Sequence, residues 1–187
     1  MAAGAEGRSV YTRPMLKAVV LRAVVLAQVA ADPPLIDNDR VSVREMPAVS
    51  GPPATIARQT PTSLWISVTP SKSIAITFKE KAVRPISNTS GFPNAFPRPG
   101  NKKMFEDGRV IVWDYTWTPG VATPMHFHDK DVVVIYFGNG SLRSTTPDGK
   151  SVVNKWTTGD TRFNLRDRIH TETLVDGQLR AIITELK

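Results

Sequence analysis

Three histidines in the second half of the chain have a spacing that could bind a metal ion. His126 and His128 lie two positions apart, and His170 opens a later β-branched segment. Residues i and i+2 of a strand share one face, so both imidazoles can reach the same ion. A third imidazole from another strand would complete a set of three nitrogens and leave positions open for water or substrate. The sequence therefore predicts a divalent metal site at His126, His128 and His170.

Composition excludes several other chemistries. The 187 residues include no cysteine, which rules out disulfides, thiol nucleophiles and cysteine-bound zinc or iron–sulfur centres. There is no Gly-x-Ser-x-Gly elbow and no phosphate-binding glycine fingerprint. The net charge is +7, but the charges are scattered and of mixed sign, so no nucleic-acid partner is predicted.

Short β-branched runs separated by turn residues follow Asp37, which favours an all-β sandwich or barrel. Glycine predicts turns at Pro147-Asp148-Gly149, Gly138-Asn139-Gly140 and Asp176-Gly177. The proline-rich stretch Pro85–Asn101 is predicted to be an arm laid over the surface. The predicted strands are Val41–Arg44, Ser63–Thr69, Ser73–Phe78, Arg109–Trp117, Asp131–Phe137, Ser141–Thr145, Ser151–Trp156, Thr161–Phe163, His170–Leu174 and Leu179–Glu185.

The amino-terminal residues 1–31 are a candidate leader. Residues 15–31 have a basic start, an apolar run and small residues, as a secretory signal does, although Arg22 interrupts the run. The alternative is an amphipathic helix that is kept. A cleaved signal would make the protein periplasmic or secreted, and otherwise it would be cytoplasmic. The run is too short and too charged to predict a membrane span.

A faint internal repeat connects residues 32–104 with the rest of the chain. Arg40-Val41-x-Val43 recurs as Arg109-Val110-x-Val112, an offset of 69 residues. The first copy lacks the histidines and ends in the proline-rich arm. Residues 32–104 are therefore expected to add extra strands, either as a degenerate half-repeat or as an unrelated β segment.

The residues around the histidines resemble the two motifs of the cupin superfamily. Gly120, His126-x-His128 and Gly140 match the first motif, and Gly159 and His170 match the second. The second motif is degraded, because Leu165, Asp167 and Leu174 stand where the family has proline, glycine and asparagine. The resemblance covers about residues 105–187 and implies a double-stranded β-helix (jelly-roll) barrel with a divalent metal ion.

The family's motif glutamate is missing. Val133 stands in its place, or Val132 if the spacing is one residue shorter. The resemblance therefore implies a three-histidine site, for which Fe(II) is favoured and zinc, manganese or nickel would also serve. Three neutral imidazoles leave the ion's +2 charge uncompensated and favour an anionic ligand. Asp129 or Asp131 could replace the carboxylate if they do not face solvent, and Glu172 is a further candidate partner.

Two main functions stay open, both with a small-molecule ligand. The first is a metal-dependent oxygenase, since three-histidine cupins include iron-dependent dioxygenases. The second is a non-catalytic binding or sensing module, and a metal-dependent isomerase or lyase is a further alternative. Val133, Tyr115, Trp117 and Phe163 are predicted to line the pocket, although the aromatic residues could equally pack the core. A homodimer is expected, because cupin barrels often pair through sheet edges.

Overall fold

The computed structural model describes residues 33–49, 51–79 and 83–187, which form twelve strands and no helix. The predicted all-β class is therefore confirmed, and these residues include no helix able to span a membrane. The candidate leader at residues 1–31 lies outside the described residues. The strands are β1 (Ile36–Asp37), β2 (Val41–Pro47), β3 (Ile56–Thr60), β4 (Ser63–Thr69), β5 (Lys72–Phe78), β6 (Asn101–Glu106), β7 (Val110–Thr116), β8 (His126–His128), β9 (Asp131–Thr145), β10 (Ser151–Trp156), β11 (Thr161–Asn164) and β12 (Arg168–Leu186).

A barrel is built on the two longest strands, β9 and β12, which pair antiparallel over all of β9 and over β12 from Thr171 onward. One half of this pair forms a sheet with β6, β7 and β11, and the other half pairs with β8 and β10. Each long strand thus runs through both layers of the barrel. This arrangement is the antiparallel double-stranded β-helix that the motifs imply.

The bend between the two layers depends on glycine. A Cβ on Gly138 would lie 2.4 Å from the carbonyl oxygen of Gln178, and a Cβ on Gly177 would lie 2.1 Å from that of Asn139. Both glycines also have positive φ, which side chains rarely adopt. The turns predicted at Gly138-Asn139-Gly140 and Asp176-Gly177 are therefore wrong, because both segments are bends inside continuous strands. The turn at Pro147-Asp148-Gly149 is present.

A second, five-stranded antiparallel sheet precedes the barrel, in the order β1-β2-β5-β4-β3. Its apolar residues pack against one face of the barrel, where they meet Val133, Ile135 and Phe137 of β9. The alternate residues Val132 and Val134 instead face the barrel interior. The period of two along a strand therefore divides β9 between two cores.

The five-stranded sheet carries the first copy of the faint repeat. Strands β2 (Val41–Pro47) and β7 (Val110–Thr116) keep the offset of 69 residues. Their partners differ, because β2 pairs with β1 and β5, whereas β7 pairs with β6 and β12. The half-repeat thus stays a prediction, and the predicted boundary at residue 104 falls inside β6.

The proline-rich arm is mostly exposed, as predicted, but it inserts three residues into the barrel. Ala95, Phe96 and Arg98 are all buried. The backbone of the arm also bonds to β8: the Ala95 N–H donates to the Phe127 carbonyl at 2.7 Å, and the Phe127 N–H donates to that of Pro93 at 2.8 Å. The arm therefore lies beside the histidine-bearing strand.

Candidate metal site

Strand pairing brings the three histidines together. His126 and His128 lie on one face of β8, which pairs with the start of β12 so that His170 is opposite His126. The ligand nitrogens of the three rings all lie within 4.8 Å of one another, and all three residues are buried. The residues that the sequence proposed as metal ligands thus form one cluster inside the barrel.

Each ring nitrogen that faces the cluster centre either has a lone pair for a metal or gains one when the proton moves to the other ring nitrogen. The Nδ1–H of His126 donates to the Pro124 carbonyl at 2.8 Å, which leaves Nε2 without a proton, and Nη1 of Arg98 contacts this Nε2 at 3.3 Å. The Nε2 atoms of His128 and His170 are 3.0 Å apart. Nδ1 of His170 lies 2.9 Å from Ser144 Oγ. When Nε2 binds a metal, Nδ1–H can donate a hydrogen bond to this hydroxyl.

Burial keeps the imidazoles neutral. Desolvation, followed by the Arg98 charge, lowers the pKa of His126 to about 4. Desolvation, followed by the Arg168 charge, lowers the pKa of His170 to about 3. The pKa of His128 is also well below its usual value, again mainly because of burial. Neutral imidazole is the form that binds metals, so the set is ready to do so near neutral pH.

The donor set fits a divalent ion. First-row ions bind imidazole nitrogen at about 2.0–2.1 Å, so ligands on one ion lie roughly 3–4 Å apart. The 3.0 Å separation of the two Nε2 atoms has this size. Nδ1 of His128 is buried without a hydrogen-bond partner in the described part of the chain. That nitrogen can keep its proton while Nε2 serves as the ligand.

Val132 occupies the position at which the family carries its motif glutamate. Val132 lines a small cavity beside His128 and His170. Val133 packs between the sheets on the opposite face of β9, so its predicted place in the pocket is wrong. The position where the family carries glutamate is thus apolar in this chain. The spacing from His128 to this position is the shorter of the two considered, which ends at Val132 and not at Val133.

Neither of the two aspartates near the site supplies the carboxylate that the family's glutamate would provide. Both are buried, contrary to the solvent-facing alternative. Asp131 forms an ion pair with Arg40 and accepts the backbone N–H of Arg166. Asp129 forms an ion pair with Lys130. Because their carboxylates are bound elsewhere, neither belongs to the histidine cluster.

Arg98 is a site residue that the sequence analysis missed. Its Nη1 lies 3.3 Å from Nε2 of His126, and its Nη2 lies 3.6 Å from a carboxylate oxygen of Glu172. The guanidinium also stacks 4.0 Å from the ring centroid of Tyr115. The available signal was an arginine between two prolines, Pro97 and Pro99, since such a short rigid segment can hold a charge in place.

Besides a cavity of about 70 Å³ between His126 and the proline-rich arm, two cavities adjoin the cluster. The smaller, about 20 Å³, is lined by Trp117 as predicted, together with Phe96, Arg98 and Val132. The larger, about 360 Å³, reaches His170 and is floored by Trp156 and Tyr136. The rings of these two residues stack at 4.3 Å. Glu172 lines both cavities and is the one acidic residue to do so among the described residues.

The remaining predicted pocket residues lie elsewhere. Tyr115 belongs to the core inside the barrel and supports Arg98 from below. Phe163 is opposite Val133 in the β9–β11 pair and packs toward the core between the sheets. Its predicted place in the pocket is therefore wrong, and its neighbours Arg162 and Asn164 line the larger cavity instead.

Comparison with known proteins finds similarity in solved structures. A cupin domain from Bordetella pertussis has 28% identity over 50% of this chain and 99% of that chain, with a TM-score of 0.42. The polyketide cyclase RemF from Streptomyces resistomycificus has 22% identity over 56% and 79%, with a TM-score of 0.38. An RmlC-like cupin with a double-stranded β-helix fold from Methanocaldococcus jannaschii has 13% identity over 57% and 91%, with a TM-score of 0.40.

No family model and no curated protein matches the chain. The predicted fold is nevertheless visible in the described residues themselves. Two antiparallel layers share β9 and β12, and the three histidines converge between them. This barrel and its grouped histidines confirm the cupin-type double-stranded β-helix that the motifs predict.

Proposed function

We propose that this protein is a metal-dependent enzyme acting on a small organic molecule, with oxygenase chemistry as the first form to test. The observation that carries the proposal is a cluster of three buried, neutral imidazoles beside a cavity of about 360 Å³. A cavity of this size suits one small molecule.

His126, His128 and His170 would hold the ion. Fe(II) is the first candidate, and zinc, manganese and nickel also suit imidazole ligands. A bound ion would polarise substrate oxygens and, in the case of iron, give access to dioxygen chemistry. Phe96, Trp117 and Val132 surround the inner side of the cluster with apolar surface, which limits the access of water.

Glu172 supports a second candidate function, a metal-dependent lyase or isomerase. Its carboxylate borders both cavities, and its side chain is 15% exposed. In this position a carboxylate oxygen could take a proton from a bound substrate and return it at another atom. Arg98, 3.6 Å away, would orient that carboxylate.

Metal content tests the site. The full chain is purified, and metal per monomer is counted for the wild type and for His126→Ala and Glu172→Gln. We expect about one ion in the wild type and in Glu172→Gln, and a loss in His126→Ala, because only the histidines are ligands. Equal metal content in the wild type and His126→Ala would exclude this site.

Turnover distinguishes the functions. Oxygen uptake by the iron-loaded protein is measured across diketones, thiols and phenols, and product formation without oxygen is measured with each metal. Oxygen uptake supports the oxygenase. Oxygen-independent turnover that Glu172→Gln abolishes supports the lyase or isomerase. Ligand-induced thermal shifts without turnover on any metal would favour the binding module instead.

A further inference from the structure

Two arginines of the larger cavity, neither with a carboxylate partner among the described residues, point to the class of substrate. We infer that the substrate is a small carboxylic acid whose carboxylate is bound by Arg162 and Arg168. This inference deepens the proposed function, since it concerns the same cavity.

The cavity has an excess of positive charge. Arg162, Arg168 and Lys150 line it, and Glu172 is the one acidic residue there among the described residues. Glu172 lies beside Arg98, and Lys150 forms a surface ion pair with Asp148 at 2.7 Å. Two guanidinium groups therefore remain for a ligand.

Neither arginine has a carboxylate partner within the described parts of the chain. Arg162 lies 5.7 Å from the ring centroid of Trp156, and Arg168 lies 3.2 Å from Nδ1 of His170. The one acidic residue of the cavity among the described residues, Glu172, is already held by Arg98. An anion between the two partly buried guanidinium groups would therefore reduce their mutual repulsion.

The other walls suit a small acid with an apolar body. Tyr136 and Trp156 add apolar wall to the cavity, and Asn154 and Asn164 can donate hydrogen bonds. Guanidinium groups match a planar carboxylate through paired N–H donors. Because Arg168 contacts the ring of His170, the carboxylate would bind next to the metal ligands, with the rest of the molecule toward Glu172.

Arg143 provides a matched control. It lies on β9 between Leu142 and Ser144, which line the cavity, but it is exposed and belongs to the opposite face of the strand. Arg143→Gln therefore removes the same charge from the protein without removing it from the cavity. Arg162→Lys is a second variant that keeps the charge but loses the paired donors.

The test is calorimetric titration of the full chain with benzoate and with its neutral analogue benzamide, before and after metal removal. We expect saturable benzoate binding that is about tenfold weaker or more in Arg162→Gln, intermediate in Arg162→Lys and unchanged in Arg143→Gln. Benzamide should bind the wild type and Arg162→Gln equally weakly. Circular dichroism confirms that each variant is folded.

The outcomes separate this inference from the metal site. Arginine-dependent benzoate binding in protein that binds no metal supports the anion site and contradicts only the proposed function. Normal metal content with equal benzoate affinity in the wild type and Arg162→Gln overturns the inference alone. Saturable binding of inorganic phosphate but of no carboxylate would also overturn it, because the anion would then be of another class.

Discussion

Two neighbouring valines on β9 allow a sharp test of the site. Val132 lies at the histidine cluster, and Val133 lies in the core between the sheets. Both side chains are almost fully buried, at 1% and 0% exposure. Val132→Glu should therefore add a carboxylate ligand to the three histidines, whereas Val133→Glu should add the same group to an apolar core.

The two substitutions should have different effects when metal is present. Val133→Glu loses about 1.5–3 kcal/mol of apolar burial. It also strains a full core and leaves a buried carboxyl unpaired, each at about 1–3 kcal/mol. The total of about 4–9 kcal/mol approaches the whole stability of a typical domain. Val132→Glu has similar costs in metal-free protein, but its carboxylate would offset one of the ion's two charges and strengthen metal binding by about tenfold or more.

The assay is thermal unfolding with and without added Fe(II) or Zn(II), combined with metal titration. We expect Val132→Glu to be destabilised without metal and to gain more from added metal than the wild type does. Val133→Glu should be unfolded or severely destabilised under both conditions. Equal metal affinity in folded Val132→Glu and in the wild type would refute the assignment of Val132 to the site.

Other consequences concern stability and assembly. Because burial lowers the pKa of His126 and His170 to about 4 and about 3, the unfolded chain takes up protons first below pH 6.5. The free energy of unfolding of metal-free protein should then fall by up to about 1.4 kcal/mol per pH unit for each imidazole, and a constant urea midpoint from pH 7 to 5 would contradict this. Arg40→Met removes one partner of a buried ion pair and should cost about 3–5 kcal/mol in urea unfolding, against less than about 1 kcal/mol for Lys150→Met at the surface. Gly177→Ala should lower the melting temperature by several degrees or prevent folding, since its Cβ would lie 2.1 Å from a carbonyl oxygen, and wild-type stability would contradict the bend. The expected homodimer is checked by light scattering, where a monomer mass would disprove it.

Local spacing was enough to predict the three histidines that form one cluster and most strands. His126-x-His128 places two imidazoles on one strand face whatever the surrounding fold, and the motif spacing adds His170. The β-branched runs likewise predict strands from short-range preferences. The glycine bends were predicted as turns because a glycine such as Gly138 looks the same in the sequence whether it lies in a hairpin turn or in the middle of a strand.

What depended on the tertiary structure was the direction of each side chain and the contacts between distant segments. A shift of one residue turns a strand's side chains to the other face, so the choice between Val132 and Val133 required the observed register. Arg98 reaches the site from a segment 28 residues before His126, and only long-range packing brings them within 3.3 Å. The sequence by itself therefore determined which residues could bind a metal. The tertiary structure decided which charges surround them, because that depends on contacts that no local pattern encodes.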